Sequence, residues 1–271
     1  MNGQIKNIMK DFLPPVFLKA YLLNRNAKYG FFGNYTSWGE AETASIGYDS
    51  DMIVNKVKDA LLKVKQGEAV YERDSVLFDN IQYSWPLLAA LLWIASQNES
   101  QLNLVDFGGS LGSTYFQNRK FLMHLNELYW NIVEQEKFVE CGKRYFEDKH
   151  LKFYYSIDSC FREQRPNTIL FSAVIQYLEK PYDLLAEVTN KEFRYIVFDR
   201  TPFLDKGNDR ITIQKVSPEI YQASYPAWFF NKENFLNSFL LKEYRLIAEF
   251  DTHEKVNIPS IFKGFIFERM G

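Results

Sequence analysis

The chain has 271 residues, enough for one large domain or for one domain with a substantial extension. Its 32 Lys and Arg residues against 34 Asp and Glu residues give a net charge of −2, so no positive field favours a nucleic-acid partner. A hydrophobic content of 46% with 24% charged residues is typical of a globular protein and excludes a wholly disordered chain.

Aromatic residues are the unusual part of the composition. Phe, Tyr and Trp make up 17% of the chain, which indicates either a large aromatic core or an aromatic-lined cleft, and the core is favoured. The two cysteines form no disulfide framework, which favours a cytoplasmic location. The three histidines are scattered, so no metal site is expected.

The first 70 residues are predicted to be an extension that packs on a core domain of residues 71–271. Lys6, Lys10 and Lys19 lie among apolar residues, so membrane association is at most peripheral. Pro14 and Pro15 interrupt the apolar stretch and argue against a signal peptide. Apolar residues then recur at helical spacing from Ser50 to the stop at Gly67.

The middle of the chain alternates between strands and helices. The apolar runs are short, uninterrupted and separated by helical segments, which is typical of a parallel sheet covered on both faces. Helices are predicted for 85–97, 113–128, 135–145, 182–188 and 232–241, and strands for 102–107, 129–134, 151–157, 168–172 and 195–199.

The C-terminal part departs from this alternation. Residues 244–251 and 261–268 are predicted strands with no helix between them, which indicates an antiparallel hairpin at the end of the sheet. An aromatic insertion near residues 203–230 follows the fifth strand. The expected fold class is therefore α/β, with a mostly parallel, Rossmann-like sheet that ends in an antiparallel C-terminal hairpin.

A glycine-rich turn follows the first predicted strand. It begins after Asp106 and contains Gly108, Gly109 and Gly112, which permit a tight turn and close approach of a ligand to the backbone. The dinucleotide pattern G-x-G-x-x-G fails because serine stands at positions 110 and 113, and no G-K-[ST] follows for a P-loop. The alternative is that these glycines form only a bend.

Two carboxylates accompany this turn. Asp106 at the end of the first strand would repel a pyrophosphate and suits a ligand with a cationic end, such as S-adenosylmethionine. Glu134 ends the second strand, where a carboxylate can accept hydrogen bonds from both ribose hydroxyls of an adenosine. A solvated glutamate at the start of the next helix is the alternative for Glu134.

These residues resemble a family of S-adenosylmethionine-dependent methyltransferases found among bacterial surface-polysaccharide genes. The matching segments are YGFFGNYTSW at 29–38 with Glu40–Ala41, YERDS at 71–75, VDFGGSLG at 105–112, VEQ at 133–135, IQYL at 175–178 and FDRTP at 198–202. The resemblance implies a class I methyltransferase fold and S-adenosylmethionine as cofactor. The cofactor-binding residues it implies are Asp106, Gly108, Gly109, Ser110, Gly112, Glu134 and Ser172.

One residue departs from the wider superfamily pattern D-x-G-x-G-x-G. Ser110 stands where the middle glycine is expected, and its side chain could crowd the methionine part of the cofactor. Gly109 beside it is expected to relax the backbone.

The sequence offers several residues for chemistry at the strand ends. Asp199 could accept the proton of an acceptor hydroxyl while Arg200 orients an anionic group, or the two could form an internal network that only shapes a turn. Gln176 and Tyr177 stand just past the fourth strand, where the superfamily leads one to expect a histidine.

Other residues are candidates for closing the pocket. Arg73 and Asp74 could close over it or form a surface ion pair. Trp38 and Tyr225, from two aromatic segments outside the α/β alternation, could stack on an acceptor or pack the extension onto the core.

The leading interpretation is a cytoplasmic enzyme that methylates a hydroxyl of a sugar or glycan precursor, without a nucleic-acid partner. A non-catalytic protein that binds S-adenosylmethionine on the same fold is the alternative, indicated by Ser110 and the absent histidine. A nicotinamide-dependent oxidoreductase is disfavoured by Asp106 and the failed dinucleotide pattern.

Overall fold

The computed structural model describes residues 28–47, 50–240, 243–252 and 254–270. The helices are α1 Trp38–Thr43, α2 Ser50–Gln66, α3 Trp85–Ser96, α4 Ser113–Leu122, α5 Glu136–Tyr145, α6 Ile157–Glu163, α7 Pro181–Asn190 and α8 Lys232–Leu240. The strands are β1 Gly30–Tyr35, β2 Tyr71–Arg73, β3 Val76–Phe78, β4 Gln101–Phe107, β5 Glu127–Val133, β6 Leu151–Tyr154, β7 Thr168–Ser172, β8 Tyr195–Leu204, β9 Arg210–Lys215, β10 Ser224–Asn231, β11 Tyr244–Asp251 and β12 Ser260–Arg269.

The main sheet runs in the order β6-β5-β4-β7-β8-β12-β11. Strands β4 to β8 are mutually parallel, and β12 pairs antiparallel with both β8 and β11. The strand order reverses next to β4, whose carboxyl end therefore opens into a crevice between two crossover connections. The predicted fold class, a mostly parallel sheet ending in an antiparallel C-terminal hairpin, is confirmed.

The two faces of the sheet are covered by separate apolar clusters because side chains alternate along each strand. Leu104, Trp130 and Val197 face helices α2 to α5 on one side. Val105 and Phe198 face helices α6 to α8 on the other. Most of the aromatic residues lie in these two clusters, as predicted; their fully buried rings include Trp130, Tyr115, Tyr195, Tyr244, Phe146, Phe153, Phe171, Phe193, Phe198, Phe203 and Phe230.

Several predicted boundaries in the alternating region are wrong, and the strand predicted for 195–199 runs on to Leu204. The helix expected to reach Leu128 ends at Leu122, and β5 already begins at Glu127. The third strand ends at Tyr154 rather than at Ile157, because Ser156 caps a new helix, α6, through reciprocal bonds with Ser159. Local capping thus converts the end of an apolar run into a helix start.

Strands β1, β9 and β10, which the sequence did not predict, form a small antiparallel sheet. This small sheet joins the main sheet where Phe230 and Asn231 of β10 run beside Phe203 and Leu204 of β8. The segment around residue 30 and the aromatic insertion near 203–230 therefore meet at the carboxyl end of β8. The first 27 residues, including Lys6, Lys10 and Lys19, lie outside the described residues.

A separate hairpin precedes α3. Strands β2 and β3 pair with Arg73 opposite Val76, and the turn residues Asp74 and Ser75 adopt left-handed φ values of 53° and 65°. Among the described residues, no helix is both long and apolar enough to cross a bilayer. Within the same part of the chain, no group of three His, Cys, Asp or Glu side chains is arranged to hold a metal.

Candidate functional site

The glycine loop, residues 108–112, joins β4 to α4 and is tightly packed. A Cβ on Gly109 would lie 2.6 Å from the carboxyl carbon of Asp106, and one on Gly108 would collide with the side chain of Val174. Gly108 and Gly112 also adopt left-handed φ values of 69° and 102°. These glycines are therefore required by close packing as well as by the bend.

Ser110 occupies the same loop in an unusual backbone conformation. Its φ of 53° lies in the left-handed region, which a residue with a Cβ adopts at an energetic cost. Its backbone N–H donates to the carboxylate of Glu134, which opposes the effect of burial on the pKa of that carboxyl. The loop is thus tied to the end of the neighbouring strand at the position where the superfamily carries glycine.

Asp106 lies beneath the loop and is only 1% exposed. The indole N–H of Trp130 donates to its Oδ2 at 2.9 Å. Burial raises the pKa of the Asp106 carboxyl to about 7, against the Trp130 hydrogen bond, and the nearby charge of Glu134 raises it further. A positive charge placed above the loop would favour the ionised form of Asp106.

Glu134 sits at the end of β5, beside the loop. Its carboxylate accepts the backbone N–H of Gln135 at 2.6 Å and the N–H of Ser110. A carboxylate offers about four acceptor positions. Two of them therefore remain for a ligand, which matches the two vicinal hydroxyls of a ribose.

Asp199 and Arg200 lie at a bulge in β8. Lys263 of β12 faces Thr201, but Phe265 faces Phe198, so β8 carries one extra residue at this point. Arg200 takes up the irregularity with a left-handed φ of 56°. Bulges re-aim side chains near functional sites, and this one presents both charged side chains at the carboxyl end of the sheet.

The Asp199 carboxylate, 1% exposed, is the centre of a hydrogen-bond network. Ser172 donates to its Oδ2 at 2.9 Å, Ser84 to its Oδ1 at 3.3 Å, and Arg200 Nε to Oδ2 at 3.2 Å. Arg200 Nη2 also donates to Ser172 Oγ at 2.9 Å. Ser172, expected among the cofactor-binding residues, therefore belongs to the Asp199–Arg200 network, and one acceptor position of Asp199 remains open.

Gln176 and Tyr177 lie in a short 3-10 turn, Ile175–Tyr177, just past β7. Tyr177 donates its hydroxyl to Gln214 Oε1 at 2.7 Å, and its ring meets that of Tyr225 edge-on at 5.4 Å. Burial raises the pKa of the Tyr177 hydroxyl, and a hydrogen bond from the Gln176 side chain opposes this. The three predicted residues Gln176, Tyr177 and Tyr225 are thus brought together.

Two other predicted residues are engaged by protein contacts. Trp38 stacks on Trp228 at 6.1 Å and packs on the small sheet, as the packing alternative describes. The guanidinium of Arg73 lies over the ring of Phe78 at 6.0 Å within its own hairpin. The charge of Asp74, by contrast, reaches across to Arg200 and raises its pKa, together with Asp199 and against the effect of burial.

Several residues near the site were not predicted from the sequence. Glu72 is 1% exposed and accepts hydrogen bonds from Ser113 Oγ at 2.5 Å and from the Ser75 N–H at 2.7 Å, which ties the hairpin to the start of α4. The turn pair Asp-Ser between the runs YER and VLF is a hairpin signal that could have revealed it. Ser84 and Glu254 carry no local signal, because only the tertiary fold brings them to the network around Asp199.

The glycine loop with Glu134 and the Asp199–Arg200 network lie at the carboxyl ends of neighbouring strands. Phe107 of β4 is paired with Phe171 of β7, and Ser172 of β7 with Asp199 of β8. The glycine loop after β4 and the Asp199–Arg200 network of β8 therefore lie at the same edge of the sheet, separated by β7. The glycines let the loop pack closely on Val174 and Asp106, and Glu134 supplies carboxylate acceptors beside it.

No protein-family profile and no curated protein sequence matches the chain. Three solved structures share its general architecture at low identity. The N-terminal domain of EvdMO1 with SAH bound has a TM-score of 0.49 at 10% identity, over 83% of this chain and 98% of that one.

The 1,6-didemethyltoxoflavin-N1-methyltransferase of Burkholderia thailandensis, with 1,6-didemethyltoxoflavin and S-adenosylhomocysteine bound, has a TM-score of 0.46 at 11% identity, covering 89% of this chain and 94% of that one. Magnesium protoporphyrin IX methyltransferase of Synechocystis PCC 6803 with bound SAM has a TM-score of 0.46 at 10% identity, over 83% of this chain and 99% of that one. All three TM-scores are below 0.5, so the functional conclusion below depends on the residues of the site.

Proposed function

We propose that the protein is an S-adenosylmethionine-dependent methyltransferase that acts on a small molecule. The observation that carries this proposal is the pair of carboxylates, Asp106 and Glu134, on either side of a glycine loop at the point where the strand order reverses. A dinucleotide would place its pyrophosphate over Asp106, whereas S-adenosylmethionine brings an ammonium and a sulfonium to the same place.

Each part of the site has a role in this proposal. Glu134 accepts the ribose hydroxyls, and Gly108 and Gly109 let the loop backbone pack closely on Val174 and Asp106, which fixes the loop's path beside the ligand. Asp106 supports the loop from below and contributes negative charge toward the cationic end. S-adenosylmethionine, when bound, supplies a methyl group on a positively charged sulfur. The chain's main task is then to hold an acceptor in line with that methyl group.

The acceptor is proposed to be a sugar or glycan precursor that is methylated on a hydroxyl. Tyr177, Tyr225 and Gln214 line the neighbouring end of the small sheet and combine aromatic faces with polar groups, which suits a polyhydroxylated molecule. Asp199 is proposed as the base, because burial raises the pKa of its carboxyl and one acceptor position is open. Arg200 and Ser172 hold that carboxylate in place.

Calorimetric titration tests the cofactor assignment. S-adenosylmethionine and S-adenosylhomocysteine are expected to bind, while NAD⁺ is not. Preference for NAD⁺ would overturn the proposal in favour of the oxidoreductase interpretation.

Turnover then separates an enzyme from a non-catalytic binder. Formation of S-adenosylhomocysteine is measured over a panel of sugars, for the wild type and for Asp199→Asn. If Asp199 is the base, the variant binds cofactor normally and loses about 10²–10⁴-fold in turnover. Unchanged turnover would remove Asp199 from that role.

A further inference from the structure

A buried carboxylate that lies outside the proposed ligand contacts joins the β2–β3 hairpin to the end of the glycine loop. Glu72 is 1% exposed, and its Oε2 accepts a hydrogen bond from Ser113 Oγ at 2.5 Å. Ser113 directly follows Gly112, the last residue of the loop, and is the first residue of α4. Burial raises the pKa of the Glu72 carboxyl, and its two hydrogen bonds oppose that rise. The end of the loop is therefore held by a residue 41 positions earlier in the chain.

The start of α4 has no cap of its own. Gly112 stands at the N-cap position, where it has no side chain to accept a hydrogen bond, and the first turn of α4 contains no acidic residue. Helix N-termini are stabilised by side-chain acceptors and by negative charge. Glu72 brings a carboxylate to the first helical residue from a different element, the strand β2. The position of Ser113, and of the loop that leads to it, thus depends on this contact.

The same carboxylate holds the turn of the hairpin. Asp74 and Ser75 adopt left-handed φ values of 53° and 65°, although neither is glycine. Glu72 Oε1 accepts the backbone N–H of Ser75 at 2.7 Å. Strained backbone persists where surrounding contacts stabilise it, and this hydrogen bond is such a contact. Glu72 therefore connects the hairpin turn to the glycine loop, with one carboxylate oxygen bonded on each side.

A second contact between the hairpin and α4 does not reach the loop. Gln117, one helical turn after Ser113, donates its side-chain amide to the Tyr71 hydroxyl at 3.3 Å and to the carbonyl of Gln82. The bond to Tyr71 joins two neutral groups at a longer distance, so it is weaker than a bond to a carboxylate. Removing the Tyr71 hydroxyl would therefore loosen the hairpin without releasing the loop.

We infer that Glu72 is a positioning residue for the cofactor: it holds Ser113, and through Ser113 the end of the glycine loop, in the shape that receives the ligand. It acts without touching the ligand, because its two carboxylate oxygens are bonded to Ser113 and Ser75 and its side chain is buried. This inference rests on the proposed function, in which the loop binds S-adenosylmethionine. It adds the β2–β3 hairpin to the elements on which cofactor affinity depends.

Calorimetric titration of the full chain with S-adenosylhomocysteine tests the inference. Glu72→Ala and Ser113→Ala are each expected to weaken binding about tenfold, and the double variant no more than Glu72→Ala alone, because both remove the same hydrogen bond. Glu72→Gln should bind within about threefold of the wild type, since its amide can accept from Ser75 and donate to Ser113 Oγ. Tyr71→Phe is the matched control, with no change expected. Wild-type affinity in Ser113→Ala, or additive losses in the double variant, overturns the inference.

Nuclear magnetic resonance of the ligand-free chain gives a readout that does not depend on the ligand. The backbone amide signals of Gly108 and Gly109, which precede Ser113 by at least four residues, are expected to shift in Glu72→Ala and in Ser113→Ala. They should return toward their wild-type positions in Glu72→Gln and stay unchanged in Tyr71→Phe. Unchanged glycine signals in Ser113→Ala contradict the inference, even where Glu72→Ala does not fold. A wild type that shows these shifts on substitution but does not bind S-adenosylhomocysteine contradicts the proposed function instead.

Discussion

The glycine loop and the hydrogen-bond network around Asp199 are built in opposite ways. The loop takes Asp106, Ser110 and Gly112 from one short stretch of chain, and only Glu134 comes from the next strand. The network joins Ser84, which precedes α3, and Ser172 of β7 to Asp199 and Arg200 of β8. The proposed cofactor site is thus carried by a local motif, whereas the groups proposed to act on the acceptor depend on the whole tertiary structure.

The largest expected effect on ligand affinity comes from a substitution in the glycine loop. Gly109→Ala places a Cβ 2.6 Å from the Asp106 carboxyl carbon, so the loop or the carboxylate must move. We expect the affinity for S-adenosylhomocysteine to fall at least 100-fold by calorimetry. Gly39→Ala is the control, because nothing lies within 4 Å of a Cβ there and its affinity should be unchanged. Normal binding by Gly109→Ala would show that the loop does not hold the ligand.

Glu134→Gln is expected to have the next largest effect. It removes the charge that accepts from Ser110 and from a ribose, and charged hydrogen bonds contribute about 1.5–3 kcal/mol each. The affinity for S-adenosylhomocysteine should fall roughly 10- to 100-fold. Glu136→Gln, two residues further along and exposed, should bind like the wild type. A similar loss in both variants would point to a general charge effect.

Much of the fold could be predicted from the sequence because its signals are local. Apolar runs bounded by helical segments predicted β4, β5 and β7, which bury residues on both faces as expected. Two apolar runs with no helix between them predicted the C-terminal hairpin. The small sheet could not be predicted. β1 contains two glycines and β10 contains Pro226, and β1 pairs with β9 about 180 residues away, so the pairing cannot be read from a local pattern.

The site divides in the same way. The glycine loop and Glu134 could be proposed from their positions in the sequence, since strand ends and glycines mark them. Ser172 was expected near the cofactor, but it bonds to Asp199 across neighbouring strands. Glu254 and Ser84 reach the Asp199 network from loops whose sequences carry no functional signal.

The pH dependence of S-adenosylmethionine binding tests the contribution of Asp106 to the glycine-loop site. Because burial raises the pKa of this carboxyl to about 7, its ionised fraction rises from about one tenth at pH 6 to nine tenths at pH 8. A cationic ligand prefers the ionised form, so the affinity for S-adenosylmethionine should rise up to about tenfold over that range. Asp106→Asn should remove the rise. A flat profile in the wild type would argue against contact between Asp106 and the ligand's charge.

The free energy of unfolding should fall as the pH rises, whereas the affinity for S-adenosylmethionine should increase. The pKa of Asp106 in the folded state lies above its ordinary value of 3.8, so the folded protein holds a proton that the unfolded chain has released. The stabilisation by neutral Asp106 is complete below pH 3.8 and is lost as the pH rises through about 7. Asp106→Asn should therefore gain stability relative to the wild type between pH 5 and pH 8 in denaturant titrations. No relative gain would mean that Asp106 is ionised throughout.

The smallest effect on ligand binding is expected for a substitution that loosens the small sheet and lowers only the free energy of unfolding. Asn257 accepts from the backbone N–H of Phe31 and donates to its carbonyl, both at 2.7 Å, so it fastens β1 to the loop between β11 and β12. Asn257→Ala should lower the free energy of unfolding by about 1–3 kcal/mol and leave S-adenosylhomocysteine binding unchanged. Asn237→Ala on α8 is exposed and should change stability by less than about 0.5 kcal/mol. A loss of affinity for S-adenosylhomocysteine in Asn257→Ala would show that the small sheet and the glycine loop are coupled.

A crystal structure of the complex with S-adenosylhomocysteine tests the central claim most directly. We expect the adenosine above the glycine loop, with both ribose hydroxyls within hydrogen-bonding distance of Glu134 and the amino-acid end over Gly109. A ligand bound elsewhere, or a ribose that does not contact Glu134, would contradict the assignment of this site.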